Sequence, residues 1–329
     1  MKVLVNLVTY NGINFIEKCM DTLTNQTFQN YKIQFLDNGS TDGTADYLNN
    51  NYPQVDLIRK DSNIGFAKGH NELLENISEE YVLILNQDII LNDDYLEKCI
   101  KFMDNNPDYS VVSGKLFRLI NNTKTNIIDS LGLGIKRNWQ VINIGEGIDE
   151  NKIDERLNRN RDVFGVVGTA PIFRVKDLER IKHCDGYYFD EDFFSCKEDV
   201  DLAMRMVRRG CKAYLLVDAL AYHYRVAKII SKNVWKNRRQ KSAFTNYHSY
   251  KNHLFVLLKN LSSNLLIKYF PFIFWYEFKK IIYLIFFERK TLFSLKDFFR
   301  FLPGMLRKRK IIQQTEVCSC RRIIKWIEQ

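Results

Sequence analysis

The sequence lacks the features that mark several common protein classes. Its seven cysteines are dispersed, and only Cys318 and Cys320 lie close together, at a spacing that does not suit a zinc site. An odd and scattered set of this kind favours a reducing compartment. Charged residues interrupt the apolar region 254–287, so no run approaches the roughly 18–20 residues that cross a bilayer. The apolar stretch at the start of the chain is too short for a signal peptide, and we expect a cytoplasmic protein.

Three motifs of nucleotide and ester chemistry are also absent. The first predicted strand is followed by TYNGIN instead of G-x-G-x-x-G, which argues against a dehydrogenase. The chain has no G-x-x-x-x-G-K-[ST] phosphate loop and no G-x-S-x-G nucleophile turn. A nucleotide-binding sheet that lacks these loops can still hold phosphate through a metal ion.

Charge is distributed unevenly along the chain. Residues 226–329 have a net charge of +17 and residues 1–225 a net charge of −7. Such asymmetry indicates an anionic partner, either a membrane surface or a nucleic acid. The basic residues alternate with long aliphatic and aromatic clusters, which favours an anionic membrane surface and argues against nucleic acid. The cluster 307–310 (RKRK) could contact anionic lipid.

The aromatic, basic region after residue 228 is predicted to be helical. Trp275 and Tyr276 stand beside the basic pair Lys279 and Lys280, which suits a helix that lies in the membrane interface. An amphipathic helix that packs on the main domain is an equally good interpretation.

Strands alternate with helices through the first ninety residues, which predicts a doubly wound, mostly parallel α/β sheet. The predicted strands are 2–9, 31–37, 55–59, 81–85, 110–119, 163–174 and 213–224, and the predicted helices are 15–24, 45–50, 65–77, 96–105 and 199–210. Residues 121–162 are predicted to form a long loop. We therefore expect an α/β domain over 1–225 and a helical, basic and amphipathic extension over 226–329.

The segment YVLILNQDIIL at 81–91 is an apolar run interrupted by polar residues. A buried carboxylate there is costly unless it meets a cation or hydrogen-bond donors. Asp88 is therefore expected at the carboxyl end of the strand, where open α/β sheets bind ligands. It could hold Mg²⁺ or Mn²⁺, with His223 as a second ligand, although a lone histidine is more often structural.

Two further carboxylate positions follow or adjoin apolar segments. Asp37 precedes the small polar loop 38–44 (NGSTDGT), which could surround a base or ribose or could be an ordinary strand-to-helix turn. Glu198 and Asp199 stand at the start of the predicted helix 199–210. A pair of this kind could act as a base, but an acidic first turn is common in helices.

In their order along the chain, these segments resemble the family 2 glycosyltransferases of the GT-A fold. The similar segments are VTYNG (8–12), DNGSTDGT (37–44), NIGFAKGHN (63–71), LNQD (85–88), GYYFDEDFFSCKEDVDLAMR (186–205) and His223. The blocks 129–135 and 163–174 are similar to the rhamnosyltransferase-like branch, which builds bacterial surface polysaccharides. The resemblance covers about residues 1–225. The Q-x-x-R-W motif of processive synthases is absent, so we expect one sugar addition per acceptor.

The resemblance implies a role for each matching residue. Asp88 matches the last carboxylate of the family's D-x-D metal motif, whose first position is Asn86 here, and His223 matches a metal-site position. Asp199 matches the catalytic base, with Glu198 beside it. The residues implied to bind the nucleotide sugar are Thr9, Tyr10, Asn11, Asp37, Asn38, Asn63, Gly65, Lys68, Asn86 and Gln87. Those expected on the acceptor side are Gly168, Thr169 and Trp139, although Trp139 could equally pack inward.

The resemblance implies an inverting transferase that moves one sugar from dTDP-rhamnose or a UDP-sugar to a hydroxyl of a lipid-linked or polysaccharide acceptor. Asp199 would take the hydroxyl proton, and Asp88 with Mg²⁺ or Mn²⁺ would stabilise the departing diphosphate. A helix N-terminus lowers the basicity of Asp199, so burial or Glu198 must offset it. The protein would work at the inner face of the cell membrane. The alternative is a catalytically degenerate GT-A domain that acts as a membrane-docked scaffold.

Overall fold

The computed structural model describes residues 1–183, 185–225, 238–315 and 321–327. Residues 226–237, where the predicted extension begins, lie outside the described residues, as do Cys318 and Cys320. The described strands are β1 (Val3–Thr9), β2 (Tyr31–Asp37), β3 (Asp56–Arg59), β4 (Tyr81–Asn86), β5 (Ile89–Leu91), β6 (Tyr109–Ile120), β7 (Thr123–Ser130), β8 (Leu133–Ile135), β9 (Val141–Asn143), β10 (Arg161–Val163), β11 (Ile172–Arg174) and β12 (Lys212–Tyr224). The described α-helices are α1 (Ile13–Thr24), α2 (Thr44–Asn51), α3 (Phe66–Leu73), α4 (Tyr95–Asn105), α5 (Val175–Ile181), α6 (Glu198–Arg208), α7 (Ala243–Asn260), α8 (Ser263–Phe287), α9 (Arg289–Leu292), α10 (Ser294–Gln314) and α11 (Arg321–Ile324).

A mixed sheet in the order β10-β12-β6-β11-β4-β1-β2-β3 forms the centre of the described structure. β4, β1, β2 and β3 run parallel, and β12 is parallel to β6. The side chains of β1 and β4 are almost all buried, as expected for parallel strands covered on both faces. The predicted α/β architecture is therefore confirmed, and the carboxyl ends of β1, β2 and β4 meet at one edge of the sheet.

Two antiparallel connections differ from the sequence-based prediction. The predicted loop 121–162 contains β7 and the hairpin of β8 and β9. β6 turns into β7 through Asn121 and Asn122, which both have positive φ (49° and 62°), a conformation that asparagine tolerates. The predicted strand 163–174 is wrong for most of its length, since only β11 and the last residue of β10 are extended in the sheet.

The short strand β5 was also not predicted. It follows Asp88 directly and pairs antiparallel with β12, so that Ile89 lies opposite His223. This pairing brings the end of the polar segment 86–88 next to a strand that is 135 residues away in the chain.

The helices after residue 238 pack on the α/β domain. Phe255 of α7 and Tyr269 and Ile273 of α8 belong to the same apolar core as β1 and β4. The interpretation that these helices pack on the main domain is thus correct for one side of α8. No helix among the described residues is long and apolar enough to cross a membrane.

Candidate functional site

The carboxyl ends of β1 and β2 form the first part of the site. Thr9 and Asp37 are paired in register, and Thr9 Oγ1 donates a hydrogen bond to Asp37 Oδ1 at 3.3 Å. The second carboxylate oxygen of Asp37 accepts the amide of Ser40 at 3.0 Å, which closes the turn after β2. Both Thr9 and Asp37 are buried at the base of the edge. Little of either side chain is therefore exposed at this edge.

Gln87 holds the loop after β1 in place. Its side-chain amide exchanges two hydrogen bonds with the backbone of Tyr10, at 2.9 and 3.0 Å. A Cβ atom on Gly12 would lie 2.2 Å from Gln87 Oε1, so a larger residue there would displace the Gln87 side chain. Both polar groups of the Gln87 side chain are therefore hydrogen-bonded within the protein. Tyr10, by contrast, is 45% exposed. The predicted contact of Gln87 with a ligand stays a prediction.

Asn38 and Asn63 shape the entry to α3. The side chain of Asn38 accepts the amide of Ile64 at 2.8 Å and donates to the carbonyl of Gly65 at 3.2 Å. Asn63 Oδ1 accepts the Gly65 amide at 2.8 Å. Gly65 has a φ of 90°, and a Cβ there would clash with the Phe194 carbonyl at 2.6 Å. Lys68 lies one turn further, with its side chain exposed.

Asp88, His223 and Asp129 form a continuous hydrogen-bonded chain. Nε2 of His223 lies 3.2 Å from Asp88 Oδ2, and its Nδ1 lies 2.9 Å from Asp129 Oδ2. Asp129 also accepts two hydrogen bonds from Arg225, each 3.0 Å long. The sequence predicted that Asp88 and His223 would share a site, and the structure brings them together.

Electrostatics keeps these carboxylates ionised. Burial opposes the charge of Asp88, but the charge and hydrogen bond of His223, with the charge of Arg225, hold its pKa below the ordinary value. The same partners hold the pKa of the buried Asp129 well below its usual range. Burial alone would lower the pKa of His223, but Asp88 and Asp129 raise it. The edge therefore presents a carboxylate, 30% exposed, beside an imidazole that is fixed from behind.

Asp88 and His223 fit two ligands of a divalent cation. Their facing atoms lie 3.2 Å apart, close to the separation of neighbouring ligands around one ion. An oxygen and an imidazole nitrogen suit Mn²⁺ better than Mg²⁺. The second nitrogen of His223 is bonded to a carboxylate, which is the usual arrangement behind a metal-binding histidine. Within the described residues, no three His, Cys, Asp or Glu side chains are grouped to hold an ion, so a bound diphosphate would have to supply further ligands.

Asp199 lies at the N-terminus of α6. Its Oδ2 accepts the amide of Gly168 at 3.2 Å, and its Oδ1 accepts the amide of Val200 at 2.8 Å. Burial nevertheless raises its pKa above the ordinary value of a carboxyl group. The effect of burial on the pKa of Asp199 thus exceeds the opposite effect that was expected from the helix N-terminus.

Glu198 is buried, and its Oε2 has no hydrogen-bond partner among the described residues. Burial and the neighbouring charge of Asp199 raise its pKa to about 8. At neutral pH the raised pKa favours the protonated form of Glu198.

Asp199 and Asp88 lie at the same edge of the sheet. The amide of Asn86 donates to the carbonyl of Thr169 at 3.0 Å, and the next residue back, Gly168, donates to Asp199. Two residues of backbone thus separate the end of β4 from the Asp199 carboxylate. Gly168 and Thr169 thus lie between the end of β4 and Asp199. Their predicted contact with the acceptor stays a prediction.

Trp139 lies inside the protein. It is fully buried, with a φ of 60°, and its indole ring packs edge-on against Tyr269 of α8 at 5.9 Å. Its placement among the acceptor-side residues is wrong, and the alternative of inward packing is correct. The reason is that α8 covers the 136–140 turn, which sequence periodicity could not reveal.

The segment before Asp199 is held by α7. Phe194, Cys196 and Lys197 all have positive φ, an unfavourable conformation for residues with a side chain. The Asn252 amide donates to the carbonyls of Phe193, Ser195 and Cys196 at 2.7–2.8 Å. These bonds fix the strained backbone that leads into α6.

Buried ion pairs attach α7 and α10 to the segment before α6 and to α6 itself. Lys259, with no exposed surface, pairs with Asp190 and, at 2.9 Å, with Asp201. Lys308 of α10 pairs with Asp190 and Asp192. The assignment of Lys308 to a basic cluster that contacts lipid is wrong, because its side chain is buried against these carboxylates. Sequence reasoning missed Asn252, Lys259 and Asp129. Only Asp129 had a signal, because it begins one of the blocks similar to the rhamnosyltransferase-like branch.

Comparisons with known proteins point to one family. The family model described as glycosyl transferase family 2 matches residues 5–182, just over half of the chain. The putative teichuronic acid biosynthesis glycosyltransferase TuaG of Bacillus subtilis is 32% identical over 108 residues, which cover 31% of this chain and 42% of that protein. The poly(ribitol-phosphate) beta-glucosyltransferase of Bacillus spizizenii is 30% identical over 122 residues, which cover 35% of this chain and 19% of that protein. This chain thus spans less than half the length of these curated relatives.

Solved structures agree on the fold. Staphylococcus aureus TarS 1-349 is 15% identical, with a TM-score of 0.56, and the alignment covers 96% of this chain and 87% of that one. GalNAc-T7 with UDP, GalNAc and Mn²⁺ is 10% identical, with a TM-score of 0.59, and the alignment covers 79% and 48% of the two chains. At these identities the likeness establishes the architecture alone.

Proposed function

This chain belongs to glycosyl transferase family 2, and we propose on that basis that it is an inverting glycosyltransferase. It moves one sugar from a nucleotide-diphosphate donor to a hydroxyl group of a glycan or lipid-linked oligosaccharide in cell-surface polysaccharide synthesis. The donor is dTDP-rhamnose or a UDP-sugar. The α/β part, residues 1–225, is the catalytic domain, and the helical part from residue 226 supports it at the inner face of the cell membrane.

One observation supports this proposal most: Asp88 and Asp199, from distant parts of the sequence, lie at the same edge of the sheet. Asp88 stands beside His223, and Asp199 stands beside Gly168. A transferase needs a positive centre at the leaving diphosphate and a base at the attacking hydroxyl. The two carboxylates are arranged to serve these two ends of one reaction.

Asp88 and His223 would hold the divalent ion, and Asp129 would orient the imidazole from behind. When bound, the ion supplies positive charge to the diphosphate as it leaves. Thr9 and Asp37, at the carboxyl ends of β1 and β2, would contact the base and ribose. Tyr10, with its exposed ring, could stack on the base.

Asp199 takes the proton of the acceptor hydroxyl. The acceptor oxygen forms a bond with the anomeric carbon, the bond from that carbon to the diphosphate breaks, and the configuration inverts. A carboxylate with a raised pKa is a better base than an ordinary one. The protonated Glu198 beside it adds no second negative charge that would repel the leaving group.

The donor assignment has two sources of support. The family resemblance favours dTDP-rhamnose, whereas two of the similar structures, TarS and GalNAc-T7, were solved with UDP. The relatives named for teichuronic acid and poly(ribitol-phosphate) synthesis support a surface-polysaccharide acceptor.

Purified protein with Mn²⁺ or Mg²⁺ tests the proposal against a panel of UDP- and dTDP-sugars. We expect one donor to stabilise the protein thermally and to be turned over only with the metal present. The Asp199→Asn and Asp88→Ala variants should lose turnover, while Asp218→Asn, an exposed carboxylate outside the site, should retain it. Turnover that persists in both site variants, or stabilisation by no donor, would favour the scaffold alternative.

A further inference from the structure

Helix α8 buries one side and exposes the other. Its buried residues, among them Leu265, Tyr269, Ile273 and Leu284, follow the spacing of a single helical face. The opposite side, here called the outer face, consists of Ile267, Phe274, Phe278, Ile281, Ile282 and Ile285. Ile267 is 74% exposed and Phe274 is 53% exposed.

The outer face is too large to be ordinary surface. From Ile267 to Ile285 it runs for about 27 Å along the helix, at 1.5 Å per residue. Continuous exposed apolar surface of this size marks an interaction site in soluble proteins. Trp275, which is 54% exposed, and Phe286, which is 69% exposed, widen it on one flank.

The charge around the outer face identifies what covers it. Residues 238–315 contain sixteen Lys and Arg but only three acidic residues. Each of the three is engaged within the protein: Glu277 with His253, Glu288 with Arg238, and Asp297 with Tyr247. Lys268 and Lys279 are exposed along one flank of α8, and Arg289 and Lys290 are exposed just beyond its end. None of the three acidic residues of this region is among its exposed residues.

Basic side chains also lie over exposed aromatic rings. Lys279 Nζ lies 4.8 Å from the centre of the Trp275 ring, and the Arg239 guanidinium lies 5.0 Å from that of Phe287. Aromatic rings flanked by Lys and Arg are typical of the boundary between headgroups and acyl chains. A protein partner would need acidic pockets of matching shape to bind such a surface. An anionic bilayer requires only an apolar helix face with cations beside it.

We propose that the outer face of α8 docks on an anionic lipid bilayer, lying parallel to the surface with its apolar side chains in the headgroup and upper acyl region. This deepens the proposed place of reaction but does not depend on sugar transfer. The flanking lysines and arginines contact the anionic headgroups, so binding weakens as salt rises.

The side of α8 that packs on the protein contacts a segment next to the residues before Asp199. Arg137 stacks over Phe272 of α8, and Trp139 packs on Tyr269. Lys197 Nζ donates to the carbonyl of Val141 in the same turn region, at 3.5 Å, two residues before Asp199. The helix that binds lipid is thus joined through one short segment to the backbone that carries the candidate base.

Co-sedimentation of the full chain with vesicles tests the proposal. Phosphatidylcholine vesicles with and without phosphatidylglycerol are compared at low salt and at about 0.5 M salt. We expect binding only to the anionic vesicles, with a large loss at high salt. Ile281→Ser with Ile282→Ser should reduce the affinity by about tenfold or more, because two apolar side chains no longer enter the lipid.

The matched control is Ile58→Ser with Ile148→Ser. These two isoleucines are 40% and 42% exposed on the α/β domain, against 38% and 41% for Ile281 and Ile282. The control should bind vesicles as the wild type does. If the α8 variant does not fold, judged by its thermal melting, Phe274→Ser replaces it.

Three results would reject the proposal. Equal vesicle binding by the two isoleucine variants would mean that the outer face does not meet lipid. A concentration-dependent dimer that the α8 variant dissociates would assign the face to a second copy of this chain. Retention on duplex DNA, but not on vesicles, would assign the charge to nucleic acid. Donor turnover by the wild type with a soluble acceptor is measured in parallel. Absence of turnover would count against the proposed function and not against docking.

Discussion

Nδ1 of His223 lies 2.9 Å from Oδ2 of Asp129, a residue that is 94 positions earlier in the chain. This contact fixes the plane of the imidazole and directs its other nitrogen at Asp88, 3.2 Å away. Asp129 is itself held by Arg225, so the side chains of Asp88, Asp129 and Arg225 together determine the orientation of one ring. The candidate metal site is therefore built as much by Asp129 as by the two residues that would touch the ion.

Replacing Asp129 should weaken metal binding without removing a ligand. We expect Asp129→Asn to reduce Mn²⁺ affinity by about 10–100-fold, because the imidazole loses its charged partner. Calorimetric titration of Mn²⁺ into the protein with UDP measures the effect. Asp154→Asn, which removes a surface carboxylate paired with Arg156, is the control and should bind Mn²⁺ normally. Wild-type affinity in Asp129→Asn would contradict the positioning role.

Replacing the candidate base should affect chemistry and spare donor binding. We expect Asp199→Asn to slow sugar transfer by about 10²–10⁴-fold, while the Kd of the nucleotide stays within error of the wild type. In the wild type, transfer should fall as the pH drops through the raised pKa of Asp199, because the base becomes protonated. A variant that transfers sugar at the wild-type rate would remove Asp199 from the mechanism.

Glu198 should make the folded protein less stable at higher pH. Its pKa is raised to about 8 in the fold, from an ordinary value of 4.5, so the folded state binds one more proton between these values. The stabilisation is complete below pH 4.5 and is lost as the pH rises to 8. We therefore expect Glu198→Gln to melt at a higher temperature than the wild type at pH 8, with the difference vanishing near pH 4.5.

The control for this measurement is Glu75→Gln, which changes an exposed carboxyl group on the same domain. Its melting temperature should follow the wild type at both pH values. If the difference in melting temperature between Glu198→Gln and the wild type is the same at pH 4.5 and pH 8, Glu198 is not buried in its neutral form.

Asn252 should control the geometry of the segment before Asp199. Asn252→Ala leaves the carbonyls of Phe193, Ser195 and Cys196 without this donor, at a cost of about 1–3 kcal/mol in the free energy of unfolding. Because the segment loses its constraint, kcat should fall while the KM for the donor changes little. Asn264→Ala, an exposed position on α8, is the control. A loss of stability with full kcat would reduce Asn252 to a purely structural residue.

Lys259 should contribute strongly to the stability of the fold. Its removal by Lys259→Met takes away the cation that Asp190 and Asp201 share, although Lys308 and Arg205 remain beside them. We expect a loss below the roughly 3–5 kcal/mol of a fully unpaired buried charge. Denaturant unfolding measures this, with the exposed Lys296→Met as control. Adding Asp190→Asn and Asp201→Asn should recover part of the loss, and failure of this rescue would mean that Lys259 acts through packing instead of charge.

The sequence predicted most of the fold because its strands are continuous apolar runs and its helices are periodic. The convergence of strand ends at one edge predicted the position of Asp88. The pairing of Asp88 with His223 and the role of Asp199 came from the resemblance to family 2 glycosyltransferases. The sequence could not predict β5 or β7, which are short or polar and exist because β12 and β6 offer them an edge. Trp139 was misplaced for a similar reason, as only the packing of α8 decides whether that ring is inside.

The contribution of the C-terminal helices to the site was beyond sequence reasoning. A lysine in a helix is normally solvated, and no local pattern marks Lys259 as buried or Asn252 as a backbone clamp. Their roles depend on contacts with residues more than 50 positions away. Long-range polar pairs of this kind become visible only when the two elements are seen side by side.

The pairing of β5 with β12 has a consequence for how the chain must align. Neighbouring side chains of a strand point to opposite faces, so a shift of one position between these strands would turn the imidazole of His223 to the far side of the sheet. Insertions or deletions within 89–91 or 221–224 should therefore be tolerated far less than in the loops that surround them.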